Sequence, residues 1–190
     1  MRSLVSLLAA FVLTLTAVPV GAASLFITNT KGESISVIDT TTLEVTATIP
    51  LGKGKPNRVV FHPDGKTLWT AAGENKAVLK IDTATNKPVA SIALPGVVHE
   101  ATLTLDGRYL YTTLRKVNKI AVVDTTTDKI ATIIPQKGYP DLVTMEPTGR
   151  YALVTNRYAD LVAVIDVKTH TQVRTIPVGK APHGMALRPR

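Results

Sequence analysis

Cysteine is absent from all 190 residues. That absence excludes disulfides, thiolate metal centres, covalent haem attachment through a Cys-x-x-Cys-His motif and acylation of an N-terminal cysteine. Aromatic residues are sparse at 5%, and acidic residues are outnumbered 14 to 22 by Lys and Arg, giving a formal charge of +8. The shortage of acids favours anionic partners, such as nucleic acid, acidic lipid headgroups, phosphate or carboxylate ligands. No window sustains a 3.6-residue apolar period, so a helical solenoid is disfavoured. No Gly-x-Ser-x-Gly elbow, phosphate-cradling glycine loop or His-Glu-x-x-His occurs. Without a catalytic constellation the reading leans to a binding protein rather than an enzyme.

Long apolar runs are confined to the start of the chain. Arg2 supplies a positive charge, an apolar run follows from Leu4 to Val18, and Pro19-Val20-Gly21-Ala22-Ala23 has the small residues of a cleavage site. Residues 1–23 therefore read as a secretory signal peptide, and residues 24–190 as one mature domain, periplasmic or secreted. Once the leader is removed, no stretch is long enough to span a bilayer.

What is present is a repeat. Asp39, Asp82, Asp124 and Asp166 open Thr-containing stretches at spacings of 43, 42 and 42. Ten residues after each stands an isoleucine: Ile49, Ile92, Ile134 and Ile176. Turn dipeptides recur on the same period as Asp64-Gly65, Asp106-Gly107 and Thr148-Gly149. Within one period lie four short β-branched or aromatic runs bounded by Gly, Pro, Asp or Asn. In the third copy these are 101–105, 109–113, 119–123 and 129–134. Four antiparallel strands per roughly 42 residues predict an all-β propeller of four blades. The repeated Asp, followed by Thr, suits an Asx-turn in the hairpin between third and fourth strands.

The ends of the chain are out of phase with a whole blade. The mature part starts with a second strand at Leu25–Thr28, and the tail supplies a spare first strand at Met185–Arg188. Pairing the two within one chain would close the ring and remove open sheet edges. A closed four-bladed monomer is the preferred expectation. An eight-bladed ring shared by two chains and a shortened gene product are the alternatives.

Asn29 in Ile27-Thr28-Asn29, Leu153-Val154-Thr155-Asn156, Ile35-Ser36-Val37-Ile38-Asp39-Thr40 and His62-Pro63-Asp64-Gly65-Lys66 resemble the YVTN (YncE-like) β-propeller repeat family. The resemblance covers nearly all of residues 25–190 and implies the propeller fold. Its members are mostly exported or surface proteins with about seven blades. In style it lies near cytochrome d1-like and quinoprotein-associated propellers.

Function belongs where the copies differ. The loop entering each innermost strand carries Asn57, His99, Asp141 and His183 at one equivalent position, followed by Arg58, Glu100, Leu142 and Gly184. If these positions converge on the axis, the first four form a polar girdle at the channel mouth. Blade-to-blade loops and second-to-third-strand loops share that face, with eleven Lys and Arg against five acids, whereas the opposite turns carry six against eight. The candidate ligand-binding residues are thus Asn57, His99, Asp141, His183, Arg58, Arg115, Lys116, Arg157 and Tyr158, and Tyr139 lies in the same loops. An exported binding or scaffold propeller whose basic mouth takes an acidic small molecule or protein partner is the favoured reading. Nucleic acid fits the charge, but neither the expected compartment nor any basic-aromatic stacking platform supports it. The alternatives are a haem-, metal- or quinone-associated propeller with His99 and His183 as metal ligands, and a propeller hydrolase or lyase. His62 and His170 read as turn or surface residues.

Overall fold

The structure, a computed structural model, describes residues 23–188. The expected leader lies almost wholly outside the described residues. Fifteen strands form four antiparallel sheets, each a blade. The first holds β1 (Ser24–Asn29), β2 (Ser34–Asp39) and β3 (Val45–Pro50). The second holds β4 (Pro56–Phe61), β5 (Thr67–Ala72), β6 (Ala77–Asp82) and β7 (Lys87–Ala93). The third holds β8 (Glu100–Leu103), β9 (Tyr109–Leu114), β10 (Lys119–Asp124) and β11 (Lys129–Pro135). The fourth holds β12 (Pro140–Met145), β13 (Tyr151–Asn156), β14 (Leu161–Asp166) and β15 (Thr171–Pro177).

Side chains alternate between the two faces of a strand, so each blade packs on the one before and the one after. In the second strands, Leu68 and Leu110 face the preceding blade, whereas Phe26, Trp69 and Tyr111 face the next. Three apolar clusters result, one at each junction between consecutive blades. Leu68, Trp69, Leu110 and Tyr111 are entirely buried there. Burial of one such side chain is worth about 1.5–3 kcal/mol.

The hairpin between third and fourth strands has one chemistry in all four copies. Asp39 Oδ1 accepts from the backbone N–H of Thr41 and Thr42 at 2.7 and 3.0 Å. Asp124 Oδ1 does the same with Thr126 and Thr127, Asp166 Oδ1 with Lys168 and Thr169, and Asp82 Oδ1 with Thr85. These bonds stabilise the ionised carboxyl and hold all four pKa values below the usual aspartate range, led by backbone donors at Asp39 and Asp166 and by threonine hydroxyls at Asp82 and Asp124. The four repeated aspartates are turn builders.

The expected strand closure is not formed. Residues 182–188 form no strand pairing, and the first sheet keeps three strands, with the axis-facing edge of β1 unpaired among the described residues. Blades pack in chain order: β4 lies against β1 and β8, and β8 against β12. No comparable packing among the described residues joins the fourth blade to the first. The repeat registers this opening directly. Ile49, Ile92 and Ile134 are buried beneath the following blade, whereas Ile176 is 39% exposed. Leu68 and Leu110 are buried by the preceding blade, whereas the equivalent Leu25 is 49% exposed. The physical reason is long-range: a strand with few backbone bonds of its own joins a sheet only if the summed rotation of the blades brings it to an edge.

Candidate functional site

Each inner strand is entered through a short loop, and a threonine of the preceding blade fixes the backbone at that point. Thr28 Oγ1 donates to the carbonyl of Asn57 at 3.2 Å, Thr113 Oγ1 to that of Asp141 at 2.9 Å, and Thr155 Oγ1 to that of His183 at 3.2 Å. In the remaining copy the position is Ala71, and the amide of Asn57 instead donates to the carbonyl of His99 at 2.7 Å. The same four main-chain carbonyls are thereby tied to the blade before. Sequence reasoning missed this latch, although three equivalent threonines were its visible signal.

With their backbones so fixed, the four variable side chains form a chain of neighbours. Asn57 Nδ2 lies 3.5 Å from His99 Nδ1. His99 Nε2 lies 3.3 Å from Asp141 Oδ1, and His183 Nε2 lies 3.9 Å from Asp141 Oδ2. Asp141 is fully buried, and its carboxylate also meets the guanidinium groups of Arg115 and, at 3.4 Å, Arg157. Both arginines come from loops between second and third strands. Arg115 sits in a single 3-10 turn at Arg115–Val117, closed by Asn118 in the left-handed region. Asp141 Oδ1 and Arg115 Nε make no well-aligned hydrogen bond among the described residues.

A second ion pair lies one position deeper. Arg58 Nε is 2.9 Å from Glu100 Oε1, and its Nη1 is 3.5 Å from Oε2. Burial pushes the Glu100 carboxyl up, opposed mainly by Arg58. Burial also lowers the pKa of His99 to about 4, reinforced by the charges of Arg115, His183 and Arg157. His99 is therefore a neutral imidazole at pH 7. Its neighbour Asp141 does not hold a proton on it, because two guanidiniums already compete for that carboxylate.

Two tyrosines flank the pair. Arg115 stacks over the Tyr139 ring at 5.4 Å, and Tyr139 and Tyr158 lie 4.8 Å apart at 37°. Tyr158 is 73% exposed on the rim. Lys116 is exposed and enters no ion pair among the described residues. A cavity of about 90 Å³ is lined by Arg58, Glu100, Leu142, Val143, Thr144 and Met185. Among the described residues, no group of three or more His, Asp or Glu side chains has the arrangement of a metal site.

His170 is a turn residue, as read from the sequence, and has a second role. It occupies a hairpin turn with φ 55°, yet its Nδ1 lies 2.7 Å from the Tyr111 hydroxyl and its ring packs edge-on to Tyr109 at 4.5 Å. It ties the third blade to the fourth. His62 is a turn residue, 2.9 Å from Asp64 in its own hairpin.

Four-stranded antiparallel blades packed face to face, with inner strands gathered at a polar mouth, agree with the comparison of the sequence to family models. Residues 96–188 match the YNCE-like beta-propeller model. The fold is that of a β-propeller, and the second half of the chain is similar to the YNCE-like family. No curated protein matches the chain. Among solved structures, the chain is similar to Kuenenia stuttgartiensis hydrazine synthase, at 23% identity and a TM-score of 0.75 over 80% of this chain and 45% of that one. It is also similar to dihydro-heme d1 dehydrogenase NirN, solved in complex with DHE, at 23% identity and a TM-score of 0.72 over 85% of this chain and 36% of that one. The chain spans less than half the length of either. At this identity the likeness concerns the fold.

Proposed function

We propose that this is an exported propeller that binds an acidic ligand, either a small anion or an acidic loop of a protein partner, at its mouth. One observation carries the reading: Arg58, Arg115 and Arg157 gather at the mouth around only two carboxylates, Glu100 and Asp141. Exposed Lys116 stands on the same loop as Arg115 and adds to the positive rim. Asp141 acts as a clamp that orients two guanidiniums, whose fork geometry matches carboxylate or phosphate. Arg157, 37% exposed at its side chain, and half-exposed His183 keep donors available to an incoming anion. The rim aromatics Tyr139 and Tyr158 add a flat apolar flank.

The haem- or metal-associated alternative draws on the likeness to NirN and on His99 and His183. The guanidiniums of Arg115 and Arg157, which meet the same Asp141 carboxylate as both imidazoles, oppose a bound cation there. Export to the periplasm or beyond rests on the leader at 1–23. Among the described residues no helix is long and apolar enough to cross a membrane.

Titration with citrate and with a glutamate-rich peptide tests the reading. Both should bind with a steep loss of affinity at rising salt. Lys116→Glu combined with Arg157→Glu should weaken binding at least tenfold while leaving the fold intact. Affinity that ignores both salt and the double substitution removes the proposal.

A further inference from the structure

Two tyrosines on the rim are foreign to the repeat. Two residues ahead of the girdle the copies read Lys55, Val97, Tyr139 and Ala181. Two residues after each second strand they read Lys31, Glu74, Lys116 and Tyr158. The other copies fold without an aromatic at either place, so blade packing does not account for the pair.

Their relative placement is nonetheless fixed from several sides. Tyr139 has a φ of 69°, a left-handed conformation that a large L side chain rarely adopts. Its backbone N–H donates to Asn118 Oδ1 at 2.8 Å, and its carbonyl accepts from the N–H of Arg157 at 3.0 Å. The carbonyl of Gly138 accepts from the N–H of Tyr158 at 2.8 Å. A Cβ at position 138 would lie 2.6 Å from the backbone nitrogen of Ala159, so glycine is what lets the two segments approach this closely. A backbone held in this way persists where its surroundings over-determine it, and such positions gather at ligand sites.

The fixed pair adjoins the arginine cluster. Arg115 lies over the Tyr139 ring at 5.4 Å, and Tyr139 and Tyr158 are 4.8 Å apart. Arg115 and Arg157 both meet the Asp141 carboxylate. A flat aromatic surface and a set of guanidinium donors are therefore continuous. The Tyr158 ring is the exposed part of that surface. Arg157 touches Asp141 through Nη1 alone, and the donors left on its partly exposed guanidinium suit the two oxygens of one carboxylate.

We propose that the acidic ligand of the mouth is an aromatic carboxylate, its ring stacked on Tyr158 and its carboxylate held by Arg157. The proposal rests on the reading of the mouth as an anion site and adds the class of the anion. Discrimination comes from ring chemistry, because a flat ring stacks on tyrosine in offset or edge-on contact and a puckered saturated ring of equal charge does not.

Calorimetric titration of the full chain with terephthalate and with its trans cyclohexane analogue tests this, since the two acids share charge and length. The unmodified protein should bind terephthalate roughly fivefold more tightly, the gain expected of one aromatic stack. Tyr158→Leu should bring that ratio to about one, and Tyr158→Phe, which keeps the ring, should preserve it. The exposure of Tyr158 makes both variants compatible with an intact fold. Equal affinity for the two acids in the unmodified protein overturns the proposal, and so does a preference that survives in Tyr158→Leu. A preference lost in Tyr158→Phe overturns it as well, because the hydroxyl and not the ring would then discriminate. Citrate binding beside two undiscriminated diacids leaves the anion site standing without aromatic selectivity. If neither citrate nor either diacid binds, both readings fall.

Discussion

The hydroxyl of Thr113 accepts the backbone N–H of Glu100 at 3.1 Å and donates to the carbonyl of Asp141 at 2.9 Å. One buried oxygen thus joins the inner strand of the third blade to the entry of the fourth. Thr155 repeats the arrangement, accepting from Leu142 N–H at 3.0 Å and donating to the carbonyl of His183.

Removing that latch strands two buried backbone groups. Thr113→Val is isosteric, so its cost should come almost wholly from the lost bonds, about 1–3 kcal/mol. Thr28→Val removes the exposed counterpart, where water can replace the partner, and should cost a few tenths of a kcal/mol, within about 0.5. Urea denaturation of both variants distinguishes a latch from ordinary packing, which would make the two costs similar.

Asp141 is the hub of the mouth and is fully buried beside Arg115. Asp141→Asn keeps the shape but leaves two guanidiniums without a counter-charge, and should destabilise by about 3–5 kcal/mol. The conservative replacement Arg157→Lys, on the more exposed partner, should cost less than about 1 kcal/mol. Thermal unfolding checks the order of the two.

His99 links stability to pH. Its folded pKa of about 4 lies below the ordinary value of 6.5, so the unfolded chain takes up more protons between these values. This contribution is complete above pH 6.5 and is lost as pH falls toward 4, on the order of 2 kcal/mol after allowance for residual exposure. His99→Gln should flatten the melting temperature across that window. An unchanged slope would remove His99 as its source.

The hydroxyl of Tyr111 joins the third blade to the fourth through His170. Burial raises its pKa, so it serves as a neutral hydroxyl throughout the physiological range. Tyr111→Phe should cost about 1 kcal/mol by chemical denaturation, with the core around position 111 otherwise retained.

If residues 1–23 act as the proposed leader, processing should fall near Ala23, immediately before β1 at Ser24. Mass spectrometry of protein recovered from the periplasm of a bacterial host should show a chain starting at or close to Ser24. Full-length protein retained in the cytoplasm would contradict export.

Much was legible in the residues alone because the signals are short-range. The strands in the third copy were read to within a residue or two, since alternation and turn residues act over a few positions. Asp39, Asp82, Asp124 and Asp166 declared their turns because an Asx-turn needs only its own next two or three residues. The equivalence of Asn57, His99, Asp141 and His183 also followed from the repeat, which places like positions at like heights on like blades. The turn at His170 is legible for the same reason, whereas its bond to Tyr111 is not, because that partner lies 59 residues away in another blade.

Sequence by itself determined the blade, its turns and which side chains share a face, because a repeat of local propensities specifies a local unit. Only the tertiary structure decided that Asp141 would sink between Arg115 and Arg157, and that residues 182–188 would not pair with β1. Those outcomes depend on the rotation accumulated over successive packed blades. No single copy of the repeat contains that angle.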